Sequence, residues 1–102
     1  MRIYRGERAF LVKSSRYPRG RLSYHPFKLG KMRLRIPFPF TTSRKIAEEF
    51  AQSTGGAHDE AGDIPILIVA DAKKIKKTIN WDWEREVLPI GVFEVKSIEV
   101  LE

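Results

Sequence analysis

Between Ile64 and Ala70 the chain reads IPILIVA, without a charged or hydrogen-bonding side chain. A strand that is apolar on both faces must be covered on both, so this run reads as the central buried strand, with Pro65 near its start. The rest of the chain has to supply the covers. Met1–Gly6 is a short strand candidate ended by Gly6. Leu29–Phe40 alternates Met32, Leu34 and Ile36 with Lys31, Arg33 and Arg35, which predicts a half-buried strand with a basic outer face, stopped by Pro37 and Pro39. Arg44–Gln52 places Ile46, Ala47, Phe50 and Ala51 on one helical face, with Ser43 or Thr42 as N-cap. Glu7–Lys13 is a weak helix candidate, Ser14–Lys28 a loop, and Ala72–Lys77 a single turn capped by Asp71. Ser53–Gly62 is a polar loop, and Ser97–Leu101 ends the last strand. Strands outnumber helices, and they are short.

At 102 residues the chain forms one domain, 1–102, of ordinary globular composition. It has no cysteine, and His25 and His58 lie far apart, so neither a disulfide framework nor a metal centre is expected. No apolar run approaches the roughly 20 residues of a membrane helix, and the first residues lack the apolar stretch of a signal peptide. A cytoplasmic protein without membrane attachment is the expectation. The net charge of +6 is unevenly divided: residues 1–45 carry +12 and residues 46–102 carry −6. A basic half beside an acidic half suits a site that draws a phosphate-bearing ligand toward acids. It also suits a nucleic-acid binder, and Arg16, Arg19 and Arg21 with Tyr17 and Tyr24 between them interleave bases and aromatics as a single-strand clamp does.

Trp81–Val95, WDWEREVLPIGVFEV, carries the chemistry. In an extended strand Glu84 and Glu86 point to one face and Arg85 to the other. Two acids on one face repel unless a cation compensates them, which suggests a task; the competing reading is an edge strand protected by charge. Pro89 and Gly91 predict a strand, a kink and a second strand. Arg5 is the last side chain before Gly6, a way to bring a guanidinium and bare backbone amides to a phosphate, and equally a way to end a strand. Capping explains one of the hydroxyls Thr41, Thr42 and Ser43, not all of them.

Three pieces thus fall in a fixed order: YRG at a first strand's end, FTTS before a helix of the form A-x-x-F, and E-x-E opening EREVLPIGVFEV. That order resembles the Arg-Ser-Glu class of mono-ADP-ribosyltransferases, the clostridial-toxin and arginine-modifying branch, over nearly the whole chain from Tyr4 to Val95. Glu84, Glu86, Leu88, Pro89, Gly91, Phe93 and Val95 match its third motif. The resemblance implies an α+β fold of two packed, mainly antiparallel sheets with few short helices. It also implies NAD as substrate in the cleft between them, no metal, and transfer of ADP-ribose to a protein acceptor with release of nicotinamide. Arg5 then binds the NAD phosphates and nicotinamide ribose, and Gly6 offers backbone to the nicotinamide amide. Thr41 or Ser43 holds the ribose, with Thr42 beside them; the family more often has serine where Thr41 stands. Glu86 bonds the ribose 2′-hydroxyl and stabilises the oxocarbenium ion, and Glu84 activates the acceptor. A glutamate at the first acidic position goes with arginine acceptors. Phe38 or Phe40 is the candidate to stack on nicotinamide. Trp81 and Trp83 stand where the acceptor loop precedes the acids, as acceptor contacts or as core anchors. The alternative function is a basic nucleic-acid-binding module on a degenerate scaffold of this kind, or transfer to a nucleic acid. The chain's small size, shorter than most members of that family, suggests a phage or bacterial effector, acting in a host cell if delivered there.

Overall fold

The structure is a computed structural model that describes residues 1–24, 26–53 and 64–101. His25 and, apart from Ser53, the expected polar loop with His58 lie outside the described residues. In chain order the elements are β1 (Arg2–Val12), β2 (Arg21–Ser23), β3 (Gly30–Met32), β4 (Phe40–Thr41), α1 (Arg44–Gln52), β5 (Ile64–Asp71), β6 (Ile75–Lys77), α2 (Trp81–Glu84), β7 (Glu86–Pro89) and β8 (Phe93–Val100). The result is a small α+β domain, mostly antiparallel sheet with two short helices.

The apolar run is central, as its composition demands. β5 lies between β1 and β8, antiparallel to both. Ile66, Ile68 and Ala70 face a core shared with Ile3, Phe40, Val87 and Phe93. Leu67 and Val69, on the other face, pack beneath Ala47 of α1, with Tyr4 and Leu101 at the margin. Each residue from Ile66 to Ala70 is at most 3% exposed. Helix α1 covers that second face because Ala47 and Ala51 are small enough to let it come down on β1 and β5. Its N-cap is Ser43, whose hydroxyl accepts the Ile46 amide at 3.2 Å, so one of the hydroxyls does serve as a cap.

The hydrogen-bonded path runs β3-β8-β5-β1-β4-β7-β6, with β2 added to the far end of β1. Two separate packed sheets were expected. Instead the two arms of one sheet are joined by a single residue pair, Tyr4↔Thr41. Both arms contribute to one core, since Phe40 and Val87 of the second arm pack with Ile3 and Ile68 of the first.

Several expected elements change. β1 does not stop at Gly6, and Glu7–Lys13 is not a helix: Arg2 to Ala9 pair continuously with Asp71 to Ile64, and that ladder overrides a weak local helical pattern. The loop Ser14–Lys28 contains β2. The strand expected over Leu29–Phe40 shrinks to β3 and β4. Its partner β8 begins at Phe93, opposite Met32, and Pro37 and Pro39 cannot donate to a ladder. Ala72–Lys77 is not a helical turn; Ile75–Lys77 pairs with Val87–Pro89 as an edge strand. The strand, kink and strand around Pro89 and Gly91 are present, with Gly91 at φ 75° at the kink.

Candidate active site

Glu84 and Glu86 do not lie on one strand. Glu84 ends α2, Arg85 takes the left-handed conformation at φ 50°, and Glu86 opens β7. The αL residue turns the chain out of the helix and into the sheet, so both acids still reach one place by a different route. They line the same cavity, of about 300 Å³, together with Tyr4, Arg5, Gly6, Thr41 and Phe50.

The cavity opens where the sheet divides. After Tyr4↔Thr41 the strands β1 and β4 part, and Arg5 Nη1 spans the gap to donate to the Pro39 carbonyl at 2.6 Å. Arg5 is therefore mid-strand rather than at a strand's end. Its Nε donates to Glu7 at 2.5 Å, and its guanidinium lies 5.2 Å from the ring centre of Phe38 and 5.7 Å from that of Phe27. A guanidinium has five N–H donors, so these bonds leave three for a ligand. Glu7 and the two rings fix its position beforehand.

Thr41 is 6% exposed, and its hydroxyl donates to the Glu84 carbonyl at 2.7 Å while accepting the Ser43 amide at 3.1 Å. It thus ties the acidic turn to the start of α1. The Thr42 amide donates to the Arg85 carbonyl at 3.1 Å and reinforces the tie. Ser43 is taken up by its cap, and neither it nor Thr42 lines the cavity. Gly6 does line it, but its missing side chain has a packing cause: a Cβ there would stand 1.9 Å from the Ala47 carbonyl oxygen.

Glu86 is the cross-strand partner of Thr41, so the two side chains stand on one face. Its carboxylate accepts from the Thr78 hydroxyl at 2.8 Å and from Asn80 Nδ2 at 3.4 Å. Sequence reasoning missed Thr78 and Asn80. They stand in T-I-N-W, ahead of Asp82 and Trp83, where nothing in residue type or spacing marks them as partners of Glu86. The Glu84 carboxyl is held above its ordinary value, first by burial, then by the hydrogen bond and charge of Glu86 beside it. Two neighbouring acids with unequal environments can divide the roles of proton acceptor and charge stabiliser.

The aromatics separate. Phe40 is 2% exposed and packs edge-on to Phe27 and Phe93 while closing the cavity wall; Phe38 carries the Arg5 guanidinium. Trp81 packs against the core, with Lys77 Nζ 4.3 Å and the Arg85 guanidinium 5.2 Å from its ring. Trp83 is 85% exposed. Neither tryptophan lines the cavity. Among the described residues there is no group of three or more His, Asp and Glu side chains placed to hold a metal, and no helix is long and apolar enough to cross a membrane.

Comparisons with protein families, with curated proteins and with solved structures return no match for this chain.

Proposed function

We propose that the chain is an NAD-dependent mono-ADP-ribosyltransferase that transfers ADP-ribose to a protein arginine and releases nicotinamide. The observation that carries this reading is the meeting of Arg5, Thr41, Glu84 and Glu86, from four separate elements, around one cavity. The division of the sheet at Tyr4↔Thr41 supports an ADP-ribosyltransferase-like fold, with the two arms in the place of its two sheets.

About 300 Å³ is at the small end of ligand pockets, which suits the nicotinamide and its ribose and leaves the adenosine outside. The free N–H groups of Arg5 meet the pyrophosphate. As the glycosidic bond breaks, its electrons leave with nicotinamide and positive charge develops on the ribose. Glu86 is held ready for that charge by Thr78 and Asn80, so its stabilisation is stronger in the transition state than in the ground state. The guanidinium of an acceptor arginine is a poor nucleophile while protonated. Glu84, with its raised proton affinity, takes that proton as the guanidinium nitrogen attacks C1 of the ribose. Trp83, next to Glu84 in sequence and open to solvent, offers the acceptor an apolar contact.

The test is incubation with labelled NAD and a cell lysate, followed by mapping of the modified residue. Wild type labels arginine and Glu86→Gln labels nothing. Equal labelling by the two proteins, or none by either, rules the assignment out.

A further inference from the structure

A second and larger cavity, of about 860 Å³, is lined by Phe27 and Phe38, the two rings that also carry the Arg5 guanidinium. Its floor is apolar, from Phe27, Leu34 and Phe38, and its rim carries Lys28, Arg33 and Arg35. No acid lines it. All three cations are exposed, and none has an acidic partner among the described residues. From Leu34 to Phe38 the backbone makes no hydrogen bond among the described residues, so, Pro37 having no amide, the other backbone groups of this segment are without a partner there.

We infer that this groove binds single-stranded nucleic acid, seating a base on Phe27, Leu34 and Phe38 with flanking phosphates on Lys28, Arg33 and Arg35. An apolar, partly aromatic floor rewards stacking of any base, and free backbone groups can meet a base edge. Three unpaired cations around such a floor select a ligand that is anionic along its length rather than at one end. Elsewhere in the basic half, Arg21 at the start of β2 and Arg16 lie 5.2 Å and 5.8 Å from the ring of Tyr17, a further exposed cluster of cations and aromatic. This explains the concentration of positive charge in residues 1–45, which binding of one dinucleotide does not require. The inference stands or falls independently of ADP-ribose transfer.

The test is fluorescence anisotropy with a labelled oligothymidylate or oligouridylate of about 12 nucleotides, within the span of a single small binding domain. Arg33→Ala/Arg35→Ala is compared with Lys45→Ala/Lys76→Ala, which removes the same charge from exposed positions outside the groove. The expected result is at least a tenfold loss of affinity for the first pair and less than a threefold loss for the second. Losing two phosphate contacts also lowers the slope of log K against log salt by about 1.4. Leu34→Glu, which sets a negative charge on the floor, weakens binding at least as much, with folding checked by circular dichroism. Equal losses for the two charge pairs, equal affinity for adenosine monophosphate or for duplex DNA, or no binding by wild type at low salt would each overturn the inference.

Discussion

Replacing Gly6 by alanine puts a methyl group where the structure has backbone. The new Cβ stands 1.9 Å from the Ala47 carbonyl oxygen and 2.7 Å from the Ala51 amide nitrogen, whereas contacts of real Cβ atoms essentially never fall below 3.0 Å. Moving from 1.9 Å to 3.0 Å separates α1 from β1 by at least 1.1 Å at their crossing. Neither neighbour is the tip of a flexible side chain, so the helix as a whole must shift. Ala47, 1% exposed, then loses its close fit over Leu67 and Val69. Overpacking of this kind costs about 1–3 kcal/mol, and the backbone contact argues for the upper part of that range. Alanine recovers roughly 0.5–1 kcal/mol over glycine in a strand, leaving a net loss of about 2 kcal/mol. For a domain of this size that lowers Tm by on the order of 10 °C. Thermal unfolding followed by far-UV circular dichroism reads it directly. A Gly6→Ala variant melting within about 2 °C of wild type would refute the packing argument, and with it the placement of α1 beside the cavity.

Other outcomes follow from the same geometry. Glu84→Gln removes a carboxyl whose folded pKa is raised, so its ionisation opposes folding once the pH exceeds the ordinary value; the variant should be more stable than wild type near neutral pH, with the difference vanishing below pH 4 in pH-dependent melts. Thr78→Val takes away the 2.8 Å bond that orients Glu86 and should lower the transfer rate more than tenfold with little change in fold, read from kcat beside a melting curve. Ser43→Ala removes the cap of α1 and should cost about 1 kcal/mol in urea unfolding, with transfer by the remaining folded protein retained.

How much of this was legible in the sequence depends on how local each feature is. IPILIVA declares its burial by composition alone, and α1 declares itself through its small buried alanines and the serine cap. The kink at Pro89 and Gly91 follows from residue type. The extent of β1 was hidden because Gly6–Ala9 become strand only by pairing with Leu67–Ile64, far along the chain. The route from Glu84 to Glu86 was hidden for another reason: Arg85 holds a left-handed conformation that glycine or asparagine would have signalled and arginine does not. Two residues of separation suggested one strand face, and the two acids come together instead through a helix end and a turn. The partners of the site, Glu7 and Pro39 for Arg5 and Thr78 and Asn80 for Glu86, are hydrogen-bonding groups common in any chain and become meaningful only once the strands are placed.

The most direct measurement is the release of nicotinamide from NAD by the purified protein, with agmatine supplied as a soluble guanidinium acceptor. The account predicts release that rises with agmatine and falls at least a hundredfold in Glu86→Gln, a variant that keeps the wild-type circular dichroism spectrum. Release by that variant at the wild-type rate, or none from wild type with any guanidinium acceptor, would contradict it.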